Sequence, residues 1–359
     1  MKISMRLLPV CAAFLLFACS DGDGVDLTGP GAGGGAPEQS CAALATRDPR
    51  LASMGDEDIR LTSALGLASG RYVLPGTPNP TQLVVAFHGN HNDSCAWRNH
   101  LRQIAGRGAV AVAMDYTGQR REGEVDNYGW FMRAGAADSI EAAQFFMARY
   151  PTITEVFALG VSMGANAAGV ALTSPDAVRA DGSPLFDYFV AAEGVHNLIE
   201  EYLIIRAVAP VNAGAVIAQA EIEEENGGAL EAAPDKYAEI TNVLRVQDMD
   251  YLKGAVLVHG VDDGLVPTTQ SVEMALALNL AGVPAHHYLI GATGGGEDGT
   301  TATSIIAGQV FGEEYESPLA GHGWEGSDTH LVITTTFEQL YALMEGAGVS
   351  PGVTPVPGF

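Results

Sequence analysis

The chemistry in this sequence begins at a serine set between small residues, Gly160-Val161-Ser162-Met163-Gly164, a G-x-S-x-G pattern. It follows the apolar run EVFAL at 155–159 and precedes ANAAGVAL, a stretch that favours helix. A hydroxyl becomes a nucleophile when a base takes its proton and a sharp strand-to-helix turn presents it to substrate. The pattern alone is weak, and its strand–turn–helix setting gives it weight. A second stretch, His259-Gly260-Val261-Asp262-Asp263-Gly264-Leu265-Val266-Pro267, follows the apolar run AVLV at 255–258. It sets an acid, Asp262 or Asp263, just past the C-terminal end of a strand, where open α/β sheets carry their sites. Four later histidines are candidate bases. His286 and His287 fall in a strand pattern, His322 sits in the turn Gly321-His322-Gly323-Trp324, and His330 reads as part of the last helix.

These residues need elements to position them. From about residue 70 the chain alternates β-rich runs (71–74, 83–87, 109–114, 156–159, 188–192, 255–259, 286–290) with helical patterns (96–105, 136–148, 165–172, 270–280, 328–344). Runs such as LVVAF are apolar throughout, as expected of strands buried on both faces of a parallel sheet. The order implies an α/β fold, a mostly parallel doubly wound sheet. Residues 194–254 read mostly as helix and suit a cap inserted into the 46–346 domain. Residues 291–321 are a second insertion, and 347–359 read as a tail. Inside the cap, Glu221, Glu223, Glu224 and Glu225 form a charge run that reads as a solvated helix face.

The order Ser162, Asp263, His322 resembles the Ser…Asp…His sequence of the α/β-hydrolase superfamily. His88-Gly89-Asn90 after LVVAF resembles that superfamily's HG oxyanion motif, HGVDDGLVP resembles HGxxDxxVP, and GHGW resembles the motif that carries the catalytic histidine. The pattern is most similar to prolyl-oligopeptidase-type and dienelactone-hydrolase-type enzymes, and Pro234-Asp235-Lys236-Tyr237 also resembles that group. Two features depart from it: Ala165 stands where a second glycine is common, and the insertion before His322 is long. The resemblance implies a serine hydrolase of small ester or peptide substrates that requires neither metal nor organic cofactor. It makes Ser162 the nucleophile, His322 the base and Asp263 rather than Asp262 the orienting acid. Met163 and Asn90 would supply oxyanion N–H groups, and Trp324 is the best candidate to contact substrate. About fifty residues between leader and core are too few for an N-terminal propeller.

Other groupings carry less. His88, His91 and Asp93 lack helical metal-ligand spacing and a companion glutamate base, so they read as structural and surface residues. Gly294, Gly296 and Gly299 match G-x-G-x-x-G but lie at the wrong end of the chain for a first βαβ unit. Trp97 and Trp130 are candidates for the cleft or for packing.

The N-terminus places the protein. Lys2 and Arg6 precede a short apolar run ending Leu16-Phe17-Ala18-Cys19, which resembles a bacterial lipobox. The resemblance implies a signal peptide over 1–18, a lipid on Cys19, a flexible Gly/Asp/Pro tether over 19–45, and an exported protein held at the cell envelope. Of the four cysteines, Cys41 and Cys95 are then left as a pair, which in an oxidising compartment points to a disulfide. With 43 acidic against 18 basic residues, the net charge is −25, and nucleic acid is excluded as a partner. A hydrophobic share of 47% is too high for a disordered chain. Seven of the 44 glycines fall within 20–40 and five within 291–299, so the glycine excess belongs largely to tether and loop.

Overall fold

A computed structural model describes residues 57–63, 66–90, 92–118, 129–291, 321–323 and 325–358. Among these residues nine strands form one sheet in the order β1-β2-β4-β3-β5-β6-β7-β8-β9. They are β1 Glu57–Ser63, β2 Gly66–Val73, β3 Gln82–Phe87, β4 Val110–Asp115, β5 Glu155–Val161, β6 Tyr188–Ala192, β7 Gly254–Gly260, β8 Ala285–Ile290 and β9 Gly352–Val356. β1–β2 and β2–β4 pair antiparallel; every pairing from β4 through β3 to β9 is parallel.

The apolar strand runs are explained by helices on both faces. Leu83, Val85 and Phe87 enter one core with α2 (Met132–Arg149) and α3 (Met163–Leu172). Val84 and Ala86 enter the other with α1 (Arg98–Gly106) and α8 (Leu331–Met344). Side chains alternate across a strand, so a strand covered on both sides shows no polar face. Between β6 and β7 the chain forms α4 (Leu198–Val208), α5 (Ala213–Asn226) and α6 (Pro234–Glu239), the helical cap. Arg133, at the start of α2, bonds Glu225 and Glu239 and so ties the cap to the body. α7 (Thr269–Leu280) joins β7 to β8. No helix among the described residues is long and apolar enough to cross a membrane.

Three details differ from the sequence reading. β1 and β9 were not anticipated. β9 (GVTPV) carries Pro355 and is largely exposed, which suits an edge strand where a missing donor is tolerated. Hence residues within 347–359 complete the sheet. The last helix begins at Leu331, not 328, because Ser327 Oγ accepts from the N–H groups of Thr329 and His330 and holds a turn there. The glutamate run is also not simply solvated: Glu221 accepts from Asn90, Glu223 from Tyr202 and Gln219, and Glu225 from Arg133.

Gly164 fixes how closely α3 approaches the sheet, since a Cβ there would collide with the backbone carbonyl oxygen of Phe87. Gly164→Val should therefore destabilise the fold by about 3 kcal/mol, at the upper end of overpacking costs, as a lowered urea midpoint.

Candidate active site

Ser162 follows β5 directly and caps α3 with φ 55° and ψ −127°. A non-glycine residue holds this backbone only under compulsion, at a cost on the order of 1–3 kcal/mol. The compulsion comes from β6 and its following turn: Ser162 N–H donates to Ala192 O at 2.9 Å, and Ser162 O accepts from Val195 N at 3.2 Å. The side chain is thereby presented at the N-terminus of α3, where developing negative charge is favoured. Met163 is the first residue of that helix, and its N–H has no intrahelical acceptor to reach.

Asp263 follows β7 and His322 lies before α8, and the fold brings them into contact: His322 Nδ1 is 2.7 Å from Asp263 Oδ2. Asp263 Oδ1 accepts from the N–H groups of Leu265 (2.8 Å) and Val266 (2.9 Å), which holds the carboxylate rigid. His259 Nε2 lies 3.2 Å from Oδ2 and is itself held by Ser271 and Val266. Burial by itself would raise the Asp263 pKa; the His322 charge and hydrogen bonds from His259 and His322 overcome it and hold the group well below the usual carboxylate range. For His322, burial opposes the cation, but Asp263 and Glu193 raise its pKa to about 9. Gly321 makes the crossing possible. Its φ is +78°, and a Cβ there would collide with Asp262 O, so the histidine turn runs directly over the acid turn.

Two further carboxylates enclose this pair, and the sequence reading missed both. Glu193 follows β6, is fully buried, and accepts from Gly323 N–H at 2.6 Å; its Oε2 lies 3.5 Å from His322 Nδ1. Its position just past a strand's C-terminal end was the available signal. Glu325, three residues after His322, accepts from Gly89 N–H and, at 2.7 Å, from Asn92 Nδ2. It thus ties the histidine turn to the His88–Gly89–Asn90 loop. That loop lies against Ser162: a Cβ placed on Gly89 would be 3.4 Å from Ser162 Cβ. Asn90 Nδ2 donates to Glu221 of α5 at 3.0 Å, which brings the cap down beside the loop.

The remaining candidates are placed as follows. His88 is buried, stacked on Tyr116 at 3.9 Å, and its carbonyl accepts from Tyr116 Oη; it is a packing residue. His287 is buried, His286 bonds the Ser350 carbonyl, and His330 is buried against Gly323. Trp97 and Trp130 are buried in packing. Cys95 is buried and its Sγ accepts from Arg71 Nε. Trp324, His91, Cys19, Cys41 and the glycines at 294, 296 and 299 lie outside the described residues. Among those described, Glu193, Asp263 and His322 are also the one cluster with metal-ligand potential, and their atoms are engaged with one another. A groove of about 730 Å³ between α2, α3 and residues Glu239–Arg245 of the cap touches none of the three.

A strained serine between strand and helix, with an acid after a later strand held against a histidine that precedes the last helix, defines the α/β-hydrolase class. The sequence pattern of the prolyl oligopeptidase family matches residues 96–295, more than half of the chain, and the chain belongs to that family. Solved structures agree on the fold. The uncomplexed acylaminoacyl peptidase of Pyrococcus horikoshii superposes with a TM-score of 0.54 at 14% identity, covering 83% of this chain and 42% of that one. A puromycin-hydrolyzing peptidase of Mycobacterium tuberculosis gives 0.53 at 16%, covering 84% and 41%. A propionate-bound esterase, Est2 of Thermogutta terrifontis, gives 0.54 at 18%, covering 83% and 97%. The chain spans about two fifths of these peptidases and nearly all of this esterase. No match to a curated protein sequence was found.

Buried acids give the site a pH signature. Burial raises Glu325 to about 7 and Glu201 of α4 to about 8, the Asp263 charge adding to the latter. Both are protonated in the folded protein at pH 6.5, while an unfolded glutamate, near 4.5, is ionised. His322, folded near 9, likewise holds its proton longer than an unfolded histidine. All three bind more protons folded than unfolded, so stability falls as pH rises from 6.5 through 9. Thermal melting should show a lower midpoint at pH 9 than at 6.5, and Glu201→Gln should flatten the slope. A midpoint that rises over this range contradicts the assignment.

Proposed function

We propose that this protein is a serine hydrolase that cleaves carboxylic esters through an acyl-enzyme. The observation that carries the reading is the 2.7 Å contact between His322 and Asp263, in a sheet whose β5 leads into a serine with φ 55°. Ser162 Oγ attacks the carbonyl carbon, and His322 Nε2 takes its proton. The tetrahedral oxyanion is met by the Met163 and Asn90 N–H groups, a donor of this kind contributing about 2.7–4 kcal/mol. The intermediate collapses as His322 returns the proton to the leaving alkoxide. Water then repeats the cycle on the acyl-serine. Asp263 keeps Nδ1 protonated and offsets the imidazolium charge. Trp324, two residues from His322, would flank the substrate.

A second reading, cleavage of peptide amides by the same residues, is favoured by the family match and by the peptidases among its structural relatives. It differs only in the leaving group, an amine that His322 must protonate. An organophosphonate should label wild type at Ser162 and leave Ser162→Ala unlabelled, with turnover down on the order of 10⁴-fold or more. Label retained by the alanine variant ends the proposal. A panel of p-nitrophenyl esters beside peptide amides separates the two readings.

The protein is further proposed to be exported, with its leader removed and lipid carried on Cys19. The basic, apolar and lipobox residues of the leader support this. A Cys41–Cys95 disulfide is supported by the burial of Cys95 and by these being the two cysteines left once Cys11 goes with the leader and Cys19 carries lipid. Mass spectrometry of protein extracted unreduced from membranes should find a diacylglyceryl group on Cys19 and no free thiol at Cys41 or Cys95. An unmodified Cys19, or two free thiols, refutes the corresponding proposal.

A further inference from the structure

β5, β6 and β7 are adjacent and parallel, and the chain just past them carries Ser162, Glu193 and Asp263 respectively. The mechanism above uses the first and third. We propose that Glu193 is a second acid for His322, a positioning residue that shares the imidazole with Asp263 and orients it when the Asp263 charge is removed. This rests on His322 being the base of the proposed reaction.

Four observations carry it. Both acids face the same ring nitrogen: His322 Nδ1 lies 2.7 Å from Asp263 Oδ2 and 3.5 Å from Glu193 Oε2. Glu193 Oε2 also accepts from Gly323 N–H at 2.6 Å, so the carboxyl is fixed to the residue that follows the histidine. Among the described residues Glu193 Oε1 is buried with no hydrogen-bond partner, a desolvation cost that holding Gly323 does not require, since any carbonyl oxygen would accept that N–H. Finally, Glu193 has φ 49°, and among the described residues Ser162 is the only other non-glycine with positive φ. A glutamate in that backbone sits uneasily, and strain of this kind collects at functional sites. Asp263 meanwhile divides its oxygens among Leu265 N–H, Val266 N–H, His259 and His322, so it is anchored independently of Glu193. Loss of its charge leaves Glu193 as the next carboxylate on Nδ1.

The test is a double-mutant cycle of Asp263→Asn and Glu193→Gln in the full chain, reading kcat and KM on an ester and the low-field proton resonance of His322 Nδ1–H. Glu193→Gln keeps an acceptor for Gly323 N–H and removes the carboxyl group that would take up the negative charge once Asp263 has lost its own. Losing a sole orienting acid costs about 10⁴-fold in kcat, so Asp263→Asn here should lose at least ~10-fold less. Glu193→Gln should cost under about 5-fold in wild type but over about 50-fold in the Asp263→Asn background, with KM little changed. The resonance should persist in Asp263→Asn and vanish in the double variant. An equal factor in both backgrounds, or no resonance in Asp263→Asn, overturns the proposal and leaves Glu193 as a brace for Gly323. Should Glu193→Gln fail to fold, the resonance and residual kcat of Asp263→Asn alone decide. His322→Ala with wild-type turnover would instead remove the underlying triad, an outcome distinct from failure of the cycle.

Discussion

The site depends on the spacing of three parallel strands. Neighbouring strands lie about 4.8 Å apart, so the acids just past the ends of β6 and β7 both reach one imidazole, and Ser162 follows the strand next to them. Parallel pairing keeps those ends on one side of the sheet, and the registers Val161↔Ala192 and Ala192↔Val258 bring them level. The histidine comes from elsewhere, on a turn that crosses the acid turn at Gly321. Remove the level ends and neither the serine backbone nor the acid–histidine contact has a support.

Burial then sets the electrostatics. Asp263 stays ionised in a dry site because two backbone N–H groups and two histidines meet its oxygens. Glu193, Glu201 and Glu325 lack such complete partners, and desolvation raises all three. The outcome is a site with one firmly charged acid, one histidine with a raised pKa, and neighbouring carboxyls pushed toward their neutral forms. Glu325 adds a mechanical link, since it joins the histidine turn to the loop against Ser162. Movement of either segment is felt by the other.

Much of this was legible before any fold was drawn. The strands 83–87 and 188–192 read correctly because apolar runs covered on both faces leave a strong signal. Ser162 stood out through its strand–turn–helix setting, and the resemblance to known motifs picked Asp263 and His322, which the structure brings together. β9 was hidden because a short edge strand with a proline is locally indistinguishable from a tail. The glutamates of α5 looked solvated because their partners, Asn90, Arg133 and Tyr202, are distant in sequence. Glu193 and Glu325 carried no motif. A single acid after a strand is common, and nothing local says that it will be buried beside a histidine more than a hundred residues away.

The alternating strand–helix order, the serine turn and the kinds of group that follow the strands are written in the linear chain, because periodicity and turn chemistry are local properties. Tertiary structure alone decided which acids share His322, which N–H groups Glu325 engages, and which histidines are left to packing. Those outcomes depend on desolvation and on distances of a few ångströms between residues far apart in the chain, and both come into being only when the strand ends are aligned and water is removed.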